Sequence, residues 1–313
     1  MSEPTILSGS ANPALADVMA TRLGVDPVKR TLERFPDGEM HVEIEESIRG
    51  RDVYLVQPTS PPVETNVLEL LLLADACRRS DAGRLTAVVP YFGYARQDRR
   101  AKGREAVGAR VVADLLQCGG FQRVVSVDLH TPSLEGFFAV PVEHLTAVPI
   151  LAQALRAEFR EDGVVVAPDL GAAKLAELYA AQLQLPVAIV HKVRLSGEKV
   201  AVRRISGDVR DRRPIIIDDM ITTGGTIEAA ARALLEAGCR EEMVVAATHG
   251  VLVGPAATRL DALPIRRLIV TDTVAMPAVR PRALETAAVS TLLAEAVAGL
   301  HWGGSLANLA GHR

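Results

Sequence analysis

Short runs rich in β-branched residues alternate with helix-period runs along nearly all of this 313-residue chain, and that alternation constrains the fold more than anything else in it. Successive strands with a helix between them pair in parallel, and a parallel sheet needs helices over its faces. The clearest strands are predicted at Val53–Val56, Leu85–Val89, Arg123–Val127, Val164–Ala167, Val187–Val190, Pro214–Ile217, Met243–Ala247 and Arg267–Val270. Helices are predicted over Thr65–Arg79, with Leu68, Leu71, Leu72 and Cys77 at helical spacing, and over Thr226–Ala237, with Ile227, Ala230, Ala231, Leu234 and Leu235. The fold expected is α/β, in two domains, each a mainly parallel sheet with flanking helices. No Gly/Ser linker separates them. The division expected is 1–147, 148–290 and a tail, 291–313, that either packs on the N-terminal domain or frays.

Composition narrows the function. Aromatic residues are only 4% of the chain, so the core is built from Ala, Val, Leu and Ile, and stacking platforms for single-stranded nucleic acid are not expected. A net charge of -3 argues against a polyanion-binding surface, while leaving room for a local basic site for a phosphorylated small molecule. Cys77, Cys118 and Cys239 lack metal-binding or CxxC spacing and are expected as buried free thiols in a reducing cytosol. Met1–Ala20 has no signal-peptide pattern and no apolar run reaches membrane-spanning length, so a cytoplasmic location without membrane association is expected.

Five places carry candidate chemistry. The most specific is Pro214–Thr226, where an apolar strand ends in Asp218 and Asp219 and the loop Thr222-Thr223-Gly224-Gly225-Thr226 opens a helix. In open α/β sheets ligands bind beyond the carboxyl ends of strands. Backbone amides at such a loop, the helix N-terminus and the Thr hydroxyls suit a sugar phosphate, with the carboxylates accepting from sugar hydroxyls. The bland alternative, an Asp-initiated turn with a Thr cap, needs neither the second Asp nor the second Gly.

The other four are weaker taken singly. Phe35-Pro36-Asp37-Gly38-Glu39 reads as a turn. Arg96–Arg104 holds Arg96, Arg99, Arg100, Lys102 and Arg104, either a solvated charged loop or a cationic arm over phosphates, since Arg bonds phosphate oxygens bidentately. His130 follows a predicted strand end, and Asp169-Leu170-Gly171-Ala172 follows another. His191–Lys199 reads as a hairpin around Ser196–Gly197, in which Lys192 and Arg194, two apart on a strand, share a face.

Together these motifs resemble the ribose-phosphate pyrophosphokinase family, from about Phe35 to Val270 and in the family's order. Ile217–Thr226 is similar to the phosphoribosyl-binding loop shared with type I phosphoribosyltransferases, whose fold the resemblance implies. Phe35–Glu39 and Tyr91–Arg100 resemble ATP-binding segments that a phosphoribosyltransferase does not use. The resemblance implies transfer of the β,γ-pyrophosphoryl group of Mg·ATP to the C1 hydroxyl of ribose 5-phosphate. It assigns Asp37, Gly38, Glu39, Arg96, Gln97, Asp98 and Arg99 to ATP, and Asp218, Asp219, Thr222, Thr223, Gly224, Gly225, Thr226 and Arg194 to ribose 5-phosphate. Lys192, Arg194 and His130 become catalytic, His130 and Asp169 serve Mg²⁺, and Asp169 with Gly171 forms a pyrophosphate loop. A homo-oligomer, a dimer at minimum or a hexamer, is implied because Asp37 and Glu39 serve a neighbouring subunit in the family. Ser47 and Arg49 match part of a regulatory site in some members. The chain departs from the family at Thr222, which is Asp in many members, at Ala172, usually Gly, and at Val193, usually Arg. Ala172 requires a negative φ. A non-catalytic regulatory homologue and a phosphoribosyltransferase are the alternatives.

Overall fold

The computed structural model describes residues 3–156, 162–196 and 199–311; the side chains of 192–203 lie outside what is described. The chain forms two compact units. Met1–Thr146, Thr273–Ala275 and Val289–Arg313 make the first; Ala147–Asp272 and Met276–Ala288 make the second.

Unit 1 begins with β1 (Thr5–Ser8), α1 (Pro13–Leu23), β2 (Arg30–Arg34), β3 (Met40–Ile44), β4 (Asp52–Val56) and α2 (Val63–Arg79). It continues through β5 (Arg84–Val88), α3 (Gly108–Cys118), β6 (Arg123–Val127), a 3-10 turn at Pro132–Phe137 and β7 (Val142–Leu145). Unit 2 holds α4 (Val148–Arg156), β8 (Gly163–Ala167), α5 (Ala173–Leu183), β9 (Val187–Ser196), β10 (Lys199–Ser206) and β11 (Arg213–Ile221). It goes on with α6 (Gly225–Glu236), β12 (Met243–Gly250), α7 (Ala256–Asp261), β13 (Ile265–Thr271) and β14 (Leu284–Ala287); α8 (Ser290–Trp302) returns to unit 1.

The unit 1 sheet has the order β1-β4-β5-β6-β7, parallel throughout, with β2 and β3 as a separate antiparallel ribbon. The unit 2 sheet runs β10-β9-β8-β11-β12-β13-β14 and is parallel except for the β10–β9 edge. Central strands buried on both faces read as continuous apolar runs, which is why all eight predicted strands appear. In β11 the pleat sends Ile215 and Ile217 into the core beneath α4 and α5 and Ile216 into the one beneath α6.

The structure corrects several details. β11 does not stop at Ile217 but carries Asp218 and Asp219 within the strand, because β12 keeps pairing with it as far as Ile221↔Gly250. Likewise β9 extends past Val190 by pairing with β10, and Gly197 lies outside the described residues. Cys77 and Cys239 are buried, and burial pushes their thiols up, to about 12 and about 11. Cys118, at the last residue of α3, is exposed, contrary to the expectation. Its helix buries the Ala109, Val112 and Leu116 stripe instead.

The C-terminal stretch is tied to unit 1. His301 Nδ1 lies 2.6 Å from Asp52 Oδ2, the Thr146 amide donates to the Leu309 carbonyl at 3.0 Å, and Ala310 bridges Leu145. No helix among the described residues is long and apolar enough to cross a membrane.

Candidate active site

Within each unit most motif residues follow the carboxyl ends of parallel strands; Asp37–Glu39 instead turn the antiparallel β2–β3 ribbon. In unit 2, β8 accompanies β11 only to Val166↔Ile216, whereas β12 accompanies it five residues further. Asp218 and Asp219 therefore stand on strand backbone whose β8 flank has ended, and the turn following β8 carries Asp169. Burial, then the charge of Asp219 and a hydrogen bond with it, then the charge of Asp169, hold the Asp218 carboxyl well above the usual carboxylate range. The Asp218 carboxyl and the two carboxylates beside it make an oxygen donor set, which a hard divalent cation prefers. Among the described residues no three His, Cys, Asp or Glu side chains form a ready ligand cage. A magnesium ion here would complete its shell with water or phosphate oxygens, as that ion commonly does.

Beyond Ile221 the loop turns into α6. Gly224, at φ +74°, occupies the left-handed region, and a methyl group there would also lie 3.2 Å from Leu260 Cγ. Three successive loop carbonyls are taken up by the segment after β12. The Leu252 amide donates to Ile221 O at 2.9 Å, the Val253 amide to Thr222 O at 2.9 Å, and Arg259 Nη1 to Thr223 O at 2.7 Å. Thr223 is exposed; Thr222, Gly225 and Thr226 are half-buried.

At the start of α5, Asp169 Oδ1 accepts from the Gly171 amide at 3.0 Å and the Ala172 amide at 3.3 Å. Ala172 has φ −85°, so an alanine is accommodated without strain. Lys174 is exposed. Lys192 and Arg194 lie on the backbone of β9, past the residues that pair with β8, and face Val202 and Val200 of β10 in register; their side chains are outside the described set.

In unit 1, Asp37, Gly38 and Glu39 form the exposed turn of the β2–β3 ribbon. The Glu39 amide donates to Asp37 Oδ1 at 3.0 Å, and Arg34 Nη1 to the Gly38 carbonyl at 2.7 Å. The segment after β5 leaves Arg96, Gln97, Arg99 and Arg100 exposed. Asp98 is joined to the end of the neighbouring strand, since Thr131 Oγ1 donates to Asp98 Oδ2 at 3.1 Å. His130, exposed, lies three residues past β6, and Asp128 in the same turn has φ +39°, a strained conformation for a residue with a side chain. That turn is braced from below. The Asp128 amide donates to Leu145 O at 2.9 Å and the buried Leu129 amide to His144 Nε2 at 2.9 Å. An imidazole that accepts at Nε2 carries its proton on Nδ1, where Glu135 Oε1 stands at 3.1 Å. Of the two residues matched to a regulatory site, both exposed, Arg49 pairs with Asp81 at 3.0 Å.

Sequence reading missed His144, Glu135 and Arg259. Each acts by reaching a turn from another element, and no local pattern in the sequence marks such a contact.

Comparison with known proteins places these features in context. Residues 4–120 match the N-terminal domain of ribose phosphate pyrophosphokinase, and residues 193–310 match the phosphoribosyl synthetase-associated domain. The chain is 42% identical over 306 residues to a ribose-phosphate pyrophosphokinase of Caldanaerobacter subterraneus subsp. tengcongensis, covering 97% of this chain and 96% of that protein. It is 42% identical over 297 residues to the Bacillus subtilis protein of the same name, covering 95% and 93%. The crystal structure of a phosphoribosylpyrophosphate synthetase from Mycobacterium smegmatis superposes with a TM-score of 0.90 at 38% identity, over 97% of this chain and all of that one.

Proposed function

The chain belongs to the ribose-phosphate pyrophosphokinase family, and on that premise we propose how its residues divide the work. The reaction is the transfer of the β,γ-pyrophosphoryl group of ATP to ribose 5-phosphate. The C1 hydroxyl oxygen attacks the β-phosphorus, the bond from that phosphorus to the bridging α–β oxygen breaks, AMP leaves, and the hydroxyl proton passes to solvent. Phosphoryl-type transfer asks the protein for alignment and charge stabilisation rather than a covalent intermediate.

The observation supporting this division is the end of β11. Two carboxylates there precede a loop whose carbonyls are drawn back, which leaves its amides for an anion. Asp218 and Asp219 accept from the ribose hydroxyls, and Thr222–Thr226 hold the 5-phosphate. Arg96, Gln97, Asp98 and Arg99 orient the triphosphate. Asp37, Gly38 and Glu39 contact the nucleoside end of ATP from a neighbouring subunit, which makes the active form a homo-oligomer, a dimer at least. Lys192 and Arg194 neutralise charge that builds on the transferred group, and Arg194 also contacts the sugar phosphate. Gly171 admits the backbone to the pyrophosphate. Asp169 and His130 would hold Mg²⁺, His130 through water or phosphate. When bound, the ion supplies charge neutralisation along the polyphosphate. We place the enzyme in the cytoplasm.

The test is formation of AMP from ATP that depends on both ribose 5-phosphate and Mg²⁺. Activity dependent on both is expected. A chain that releases no AMP under those conditions is a regulatory homologue, and one that instead consumes the activated sugar is a phosphoribosyltransferase.

A further inference from the structure

We propose that Arg259 is a positioning residue for the sugar-phosphate loop: its guanidinium ties the Thr223 carbonyl to the first turn of α6 and so aims the loop amides at the 5-phosphate. This rests on the reading of that loop given above. In a trans peptide the C=O and the following N–H point in opposite directions. The carbonyls of Ile221, Thr222 and Thr223 all point to the segment 252–259. The amides of Thr222, Thr223 and Gly224 therefore point away from it, together, on the loop's other side. Successive amides aimed at one place make an anion cradle.

The three ties differ in kind. Those to Ile221 and Thr222 come from backbone amides, a donor every residue but proline carries. The third comes from a side chain, and it holds the peptide plane next to Gly224, whose φ of +74° belongs to a residue free to rotate. A plane adjoining glycine turns over easily, and turning this one would withdraw the Gly224 amide from the cradle. Arg259 prevents that.

It has a second effect. Glu228 stands in the first turn of α6, where a carboxylate opposes an anion at the helix start. Arg259 Nε lies 2.8 Å from Glu228 Oε2, and Arg232 Nη2 2.9 Å from Glu228 Oε1. One planar fork thus holds a carbonyl and masks a carboxylate at once, which the single ammonium of lysine does less well. Arg259 itself is assigned no substrate contact; what it touches is the loop at Thr223, so its action passes through the loop.

The experiment uses the full chain with initial-rate kinetics in both substrates. Arg259→Met is expected to raise KM for ribose 5-phosphate about 10–50-fold, with kcat within about threefold and KM for ATP unchanged. Arg259→Lys is expected to raise it about threefold to tenfold, and it carries the same comparison should the methionine variant not fold. Added methylguanidinium should lower KM for ribose 5-phosphate in Arg259→Ala, a response that loss of packing alone would not give. Arg232→Gln, which loosens Glu228 without touching Thr223, should stay within about twofold. An unchanged KM for ribose 5-phosphate in Arg259→Met and Arg259→Lys overturns the proposal. So does an equal loss in both KM values and kcat without guanidinium rescue. Asp219→Asn separates the two levels. If it raises KM for ribose 5-phosphate while the Arg259 variants do not, only this inference fails. If none of them affects that KM, the reading of the loop fails with it.

Discussion

The two edges of the parallel sheets treat charge in opposite ways. At the amino ends of the strands, opposite charges are matched. Arg84 opens β5 and bonds Asp52, which opens β4; Arg123 opens β6 and bonds Glu143. Arg213 opens β11 and reaches Asp162 at 2.8 Å, while Arg267 meets Glu285 at 2.8 Å. At the carboxyl ends like charges are gathered: Asp218, Asp219 and Asp169 in unit 2, and Arg96, Arg99 and Arg100 in unit 1. Protonation follows the same division. Burial would raise Asp52, but hydrogen bonds from Arg84, His301 and Tyr54 outweigh it and the carboxyl lies below its ordinary value. Asp218 lies well above, raised first by burial and then by the carboxylates of Asp219 and Asp169. One edge pairs its charges within the fold, and the other gathers groups of one sign.

That contrast can be broken by experiment. The largest effect is expected at the carboxyl edge. Lys192→Ala should lower kcat about 10²–10³-fold while changing KM for ribose 5-phosphate little, as befits a group acting mainly on the transition state. Comparable losses in kcat and sugar binding would remove Lys192 from that role. At the amino edge the reverse split is expected. Asp52 is only 12% exposed at its side chain, and Asp52→Ala should cost about 2–3 kcal/mol of unfolding free energy, read by denaturant titration, with both KM values unchanged. Its pH dependence has a definite sign. Because the folded carboxyl lies below its ordinary 3.8, the contribution is present above that value and is lost as pH falls through the folded one.

The smallest effect is the most diagnostic. Asp218 titrates the other way: the folded state holds its proton more tightly, so stability declines as pH rises from 3.8 through the folded value. Asp218→Asn should remove that penalty, raising the thermal midpoint at pH 7 or above by about 2–4 °C, with no gain below pH 3.8. A midpoint that falls at neutral pH would mean that Asp218 is stabilised by partners after all, and the two edges would be alike.

Much of the fold was legible because central strands must be apolar on both faces. The polar ribbon β2–β3 and the edge strand β14, Leu-Glu-Thr-Ala, carry no such pattern and went unread. Asp218 and Asp219 looked like the end of a strand because Asp is depleted in sheets; pairing with β12 overrode that preference. At the candidate site, the sequence displayed the residue types expected around a sugar phosphate: the paired Asp for hydroxyls, the Thr and Gly loop and the clustered Arg for phosphate oxygens. It concealed the residues that brace them. Nothing in Thr258-Arg259-Leu260 announces a hold on Thr223, and nothing in Val142-Glu143-His144 announces an acceptor for the Leu129 amide. Those contacts exist only once distant elements have packed.

The discontinuity of unit 1 sets an order of assembly. Its opening 146 residues share a unit with Val289–Arg313, whose Leu309, Ala310 and Gly311 bond to the strand end bearing His144, the imidazole beneath the His130 turn. On the ribosome the whole of unit 2 emerges before those residues do. The half of the protein translated first is thus the half finished last, and a nascent chain can hold all of unit 2 while unit 1 still waits for its closing segment.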